Sequence, residues 1–177
     1  MVAITGGAGE GKSTVLSILA GLGHSVASAD EFVEKLWTST DFLDEVRLGL
    51  GMHGTPTREL VRDLILKDRS KRRILNNLTH GRVFSQILGK NTDFVEIPLL
   101  VETASFRKFS EIWVVTCGEK EQLRRLTDRL KSEEMAQKFM SAQLPSAIKI
   151  AFADEIIRTN VPFADVSRQI VESLARR

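Results

Sequence analysis

Residues 1–23 read MVAITGGAGEGKSTVLSILAGLG, and their reading decides the rest of the chain. A short apolar run, Val2–Thr5, breaks into Gly6-Gly7. Beyond Lys12, Val15, Ile18, Leu19 and Leu22 recur at helical spacing, and Gly23 closes the pattern. The order is strand, glycine loop, helix. Within it, Gly6-x-x-x-x-Gly11-Lys12-Ser13 matches the phosphate-binding loop at every defined position. Glycines let successive N–H groups turn into one concavity, and the following helix adds the positive end of its dipole. Lys12 is the residue type that reaches the β- and γ-phosphates, and the Ser13 hydroxyl is placed to help hold Mg²⁺. A glycine-rich turn beside a surface lysine is the plain alternative. The strand before and the helix after argue against it. Glu10 lies inside the loop, so its carboxylate must point away from any bound phosphate.

Working outward, the chain alternates strands with helices. Further strands are expected at 25–29, 94–97, 112–116 and, short, at 155–157. Helix dominates from Asp30 to about Leu88, with a turn-rich break at 49–56. It dominates again over 119–149, a strongly charged run. A closing amphipathic helix carries Phe163, Val166, Ile170, Val171 and Leu174. Short, continuously apolar strands between helices predict an α/β fold: a three-layer sandwich around a five-stranded parallel sheet. The expected division is one domain, with its core at 1–30, 91–118 and 151–177. A helical acceptor lobe over 31–90 and a lid over 119–150 are inserted into it.

Composition narrows the classes. The 177 residues suffice to bury a core. A net charge of +2 gives little steering toward nucleic acid or an anionic membrane. Cys117 is the one cysteine, which excludes an internal disulfide. No apolar run is long enough for a membrane span, and the glycine loop at the start is wrong for a signal peptide, so a cytoplasmic protein is expected.

The loop does not name an acceptor. Neither an Asn-Lys-x-Asp guanine signature nor an apolar run ending in Asp stands out, which points to small-molecule kinases. Asp30 follows the second strand, where ligands bind in doubly wound sheets, and a carboxylate there can accept a hydroxyl proton. It can equally be a helix N-cap, and position does not choose. Arg124, Arg125 and Arg129 lie on one helix as candidates to neutralise a moving phosphoryl group, or as part of a solvated face with Glu119, Glu121 and Asp128. His80 and Glu102 carry no decisive signal of their own.

Taken together, these segments resemble the dephospho-coenzyme A kinase family. The match rests on ITGGAGEGKST followed by LAGLG, on SVASAD, on RELVRDLIL with ILNNLTHGRVF, and on IPLLVE. It ends in the run EQLRRLTDR, SAQLP, ADEIIRTN. The resemblance implies a P-loop kinase of the nucleoside-monophosphate-kinase type. Such a kinase uses ATP and Mg²⁺ to phosphorylate the ribose 3′-hydroxyl of dephospho-CoA. By the same resemblance, Gly9, Glu10, Gly11, Lys12, Ser13 and Thr14 bind the ATP phosphates, Ser13 also serves the metal, and Asn160 borders adenine. Asp30 becomes the general base, Lys12 and Arg129 stabilise the transferring group, and Arg58, His80 and Glu102 fall on the acceptor side. The chain departs from the family pattern at Ser28, Gly81 and Lys149, where aspartate, proline and arginine are usual. The alternatives are a related kinase with another acceptor, and a nucleotide-binding module without transfer.

Overall fold

The computed structural model describes residues 1–89 and 92–177. The expected lobe boundary at Lys90 and Asn91, and the side chain of Leu88, lie outside the described residues. The chain divides into two compact units, Met1–Ala27 with Thr92–Arg177, and Ser28–Asn91.

The first unit is built on a five-stranded parallel sheet of order β2-β3-β1-β4-β5. Its strands are β1 (Val2–Thr5), β2 (Val26–Ser28), β3 (Phe94–Glu96), β4 (Glu111–Thr116) and β5 (Glu155–Arg158). All five were expected from the apolar runs, within a residue or two at their ends. β1 is central, with Ile4 level with Glu96 on one side and with Trp113 on the other.

The sheet is covered on both faces. Val2, Ile4, Phe94, Trp113, Val115 and Ile157 form one core with Val15, Ile18 and Leu19 of α1 (Lys12–Gly21) and Val166 and Ile170 of α9 (Phe163–Ala175). Ala3, Val95, Ile112 and Val114, which alternate with these strand residues, are buried as well. That is why the strands read as unbroken apolar runs. The Trp113 and Phe94 rings meet edge to face at 5.2 Å, and the indole N–H donates to Glu111. Truncating either ring costs about 3–5 kcal/mol by the usual scale of core aromatics.

The charged run that reads as helix over 119–149 is three helices, α6 (Glu119–Leu130), α7 (Glu133–Ser141) and α8 (Ser146–Ile150). Lys131 ends α6 in the left-handed region at φ 56°, and the Ser132 hydroxyl caps α7 by accepting the Met135 N–H. No glycine marks this break.

The second unit is helical: α2 (Ala29–Leu36), α3 (Thr40–Leu50), α4 (Arg58–Lys67) and α5 (Arg69–Leu88). The first three pack on α5. Gly49, expected in the break, is instead inside α3. A Cβ there would lie 3.1 Å from Ile74 Cγ2 of α5. The turn begins at Gly51, which caps α3 in the left-handed conformation. Gly81 lies inside a continuous α5; a proline would remove an interior hydrogen bond there. Among the described residues no helix is long and apolar enough to cross a membrane.

Candidate active site

In the order β2-β3-β1-β4-β5 the chain passes from β1 toward the β2 edge of the sheet and from β4 toward the β5 edge. The carboxyl ends of these adjacent strands therefore flank a topological switch point, the usual ligand position in such sheets. The loop after β1 fills it. Gly11 stands at the N-cap of α1 with φ 92°, and a Cβ there would be 2.9 Å from Thr159 Oγ1. Only glycine satisfies both the angle and the space.

The hydrogen bonds of the loop divide into two sets. The Gly7 N–H donates to the Glu10 carboxylate, and the Ala8 N–H donates to Gln143 Oε1 at 2.9 Å. The N–H groups of Gly9, Gly11 and Ser13 meet no acceptor among the described residues. They surround the start of α1, where the helix dipole favours an anion. Lys12 is buried and not the surface lysine of the plain alternative. Its ammonium donates to the Gly7 carbonyl at 2.9 Å and lies 3.7 Å from Glu96 Oε1. Glu96 is a polar partner that the sequence reading missed, because FVE is too short a strand to advertise its last residue.

The Glu10 side chain is turned inward, as electrostatics requires beside an anion site. It is fully buried, and besides Gly7 it accepts from the hydroxyls of Thr116 at 3.0 Å and Ser146 at 2.6 Å. The Glu10 main chain is engaged within the protein too, its N–H donating to the Gly7 carbonyl at 3.4 Å.

The residues of the charged run separate clearly. Arg124 is bound to Glu121 and Asp128. Arg125 is bound to Glu121 and to the Thr159 carbonyl at 2.7 Å. Hydrogen bonds from Arg124 and then Arg125 hold the Glu121 carboxyl down at about 2. Arg129 is exposed and makes no hydrogen bond or ion pair among the described residues. Lys149 is fully buried, 2.8 Å from Glu102 Oε1 and 3.1 Å from the Pro98 carbonyl. The same Glu102 oxygen accepts the Leu144 N–H, and Oε2 is buried with no partner among the described residues. Asn160 is exposed just after β5, beside buried Thr159, whose hydroxyl donates to the Glu10 carbonyl.

The second unit carries the other expected residues. Asp30 is exposed in the first turn of α2, while the N-cap is Ser28, so Asp30 is not the helix cap. Its carboxylate has no hydrogen bond or ion pair among the described residues. Arg58 is paired with Glu34 at 2.6 Å and stacks over Trp37. His80 is exposed on α5, edge-on to Phe84.

Among the described residues no cluster of three His, Cys, Asp or Glu could hold a metal by itself. This donor set suits Mg²⁺, which is bound with substrate phosphates and few protein oxygens rather than in an all-protein cage. The exposed Ser13 hydroxyl beside the open N–H groups is the kind of oxygen such an ion uses.

A family model described as dephospho-CoA kinase matches residues 1–165. The chain belongs to the dephospho-CoA kinase family. A dephospho-CoA kinase of Shouchella clausii is 31% identical, over 99% of this chain and 97% of its own. One of Fusobacterium nucleatum is 28% identical, over 96% and 94%. Among solved structures, a dephospho-CoA kinase from Campylobacter jejuni superposes with TM-score 0.69 at 25% identity, covering 98% of this chain and 94% of that one. A Thermus thermophilus protein superposes with TM-score 0.83 at 24% identity, covering 99% and 96%, and supports the fold. The family and the α/β P-loop architecture are thus those the motifs implied.

Proposed function

We propose that this member of the dephospho-CoA kinase family transfers the γ-phosphoryl group of ATP to the ribose 3′-hydroxyl of dephospho-CoA. The products are CoA and ADP, which makes this the last step of coenzyme A synthesis. The observation that carries the reading is the set of open N–H groups of Gly9, Gly11 and Ser13 at the start of α1, in a chain whose family match spans both units.

In this mechanism the loop N–H groups and Lys12 hold the β- and γ-phosphates, and Ser13 contributes an oxygen to Mg²⁺. The ion supplies charge neutralisation at the phosphates when bound. Asp30 accepts the proton of the 3′-hydroxyl. The ribose oxygen bonds to the γ-phosphorus as the bond to the β–γ bridging oxygen breaks, and ADP leaves. Arg129, with no competing partner among the described residues, neutralises charge on the moving group. Catalysis is chiefly positioning and electrostatic stabilisation. Arg58, His80 and Glu102 serve the acceptor, and Asn160 borders the adenine.

The test is ADP release from ATP and Mg²⁺, with and without dephospho-CoA, and the product mass. Release that needs dephospho-CoA and yields a product heavier by one phosphoryl group establishes donor, acceptor and reaction together. Normal ATP binding with no stimulation removes dephospho-CoA as the acceptor.

A further inference from the structure

Ala8 is gripped from two directions. Its N–H donates to Gln143 Oε1, in the turn between α7 and α8, and its carbonyl accepts from Gln122 Nε2 of α6, each at 2.9 Å. These two groups belong to different peptide units. The Ala8 N–H shares a plane with the Gly7 carbonyl, and the Ala8 carbonyl shares one with the Gly9 N–H. No described peptide is cis, so in each plane the carbonyl and the N–H point in opposite directions.

Two consequences follow from that geometry. Holding the Ala8 carbonyl against Gln122 aims the Gly9 N–H the opposite way, and that N–H is one of the open set. Holding the Ala8 N–H against Gln143 fixes the Gly7 carbonyl, which is the acceptor for the Lys12 ammonium. Gln122 is buried, and a Cβ on Gly7 would run into its amide. Gln143 is held by its neighbours: Leu144 is tied to Glu102, and Ser146 to Glu10.

We propose that Gln122 and Gln143 are positioning residues for the phosphate donor, pinning two successive peptide planes so that the Gly9 N–H and the Lys12 ammonium meet ATP preorganised. Gln122 acts as a donor and Gln143 as an acceptor. The inference rests on reading the loop as the ATP site.

The experiment is titration of ATP and Mg²⁺ onto the full chain without an acceptor, following heat or a fluorescent analogue. Gln122→Met and Gln143→Met keep the side-chain length and lose the polar atoms. Each is expected to weaken ATP roughly fivefold, the scale of one neutral hydrogen bond. The change to glutamate separates the two positions. Gln143→Glu still accepts from Ala8 and binds ATP more tightly than Gln143→Met. Gln122→Glu sets a carboxylate against a carbonyl and binds more weakly than Gln122→Met. That opposite ranking is not expected of a generally loosened fold. Should a methionine variant melt below the assay temperature, Gln122→Asn and Gln143→Asn, too short to reach Ala8, give the same reading. If the parent fails to bind ATP, the phosphate reading falls and takes this one with it. If the parent binds and all variants stay within twofold, the positioning role alone is overturned.

Discussion

Lys149 and Glu102 form an ion pair inside the protein, Nζ to Oε1 at 2.8 Å, with the lysine side chain wholly removed from solvent. Two charges taken out of water are tolerable only together. Glu102→Ala is therefore expected to destabilise the fold by about 3–5 kcal/mol, because it strands a buried ammonium. Glu102→Leu combined with Lys149→Met should recover much of the loss. Urea unfolding of the single and double variants measures the coupling, and strictly additive effects would count against it.

Arg129 should be separable from its helical neighbours. It touches no partner among the described residues, whereas Arg125 ties α6 to Thr159. Arg129→Ala is expected to lower kcat by about 100-fold or more at an unchanged melting temperature. Arg125→Ala should lower the melting temperature. A full rate in Arg129→Ala would remove it from the reaction.

Asp30→Asn should lower kcat by about 10²–10⁴-fold, the usual worth of a general base. Because its carboxylate has no partner among the described residues, melting temperature and ATP affinity should hardly change. A collapse of ATP affinity would make it a nucleotide or metal contact instead.

Burial pushes the Cys117 thiol up to about 11 from an ordinary 9.0. Since the folded form resists ionisation, this contribution to stability is complete below pH 9.0. It is lost as the pH rises toward about 11, where the folded thiol ionises too. At pH 8 the folded protein should react with a thiol reagent only as fast as it opens, and mild urea should accelerate labelling. Rapid stoichiometric labelling without denaturant would contradict the burial.

The strands were legible because parallel strands covered on both faces leave few polar residues to blur the pattern, as in VAIT and IWVVT, where only the last residue is polar. The loop was legible because its chemistry demands fixed residues at fixed spacing. The roles of the two glutamines were not, although Gln143 lies in the SAQLP stretch that carries part of the family resemblance. Gln122 and Gln143 sit in a run so rich in charge that any polar side chain looks solvated, and only the third dimension turns them toward Ala8. Leu126, one turn beyond Gln122 and fully buried, was the available hint that this helix face points inward. The break at Lys131 was hidden because a lysine occupies a left-handed position usually marked by glycine. Ser132 ahead of Glu133 and Glu134 was the readable cap signal.

The central place of β1 bears on how the chain is made. It is made before both of its sheet neighbours, which begin only at Phe94 and Glu111. The side chains that fix its loop come later still, at Thr116, Gln122, Gln143, Ser146 and Thr159. The phosphate cradle is written ahead of all of them, and a growing chain cannot complete it until Thr159 has been made. A nascent protein halted before residue 159 carries the whole motif in its sequence and lacks the side chains that give it shape.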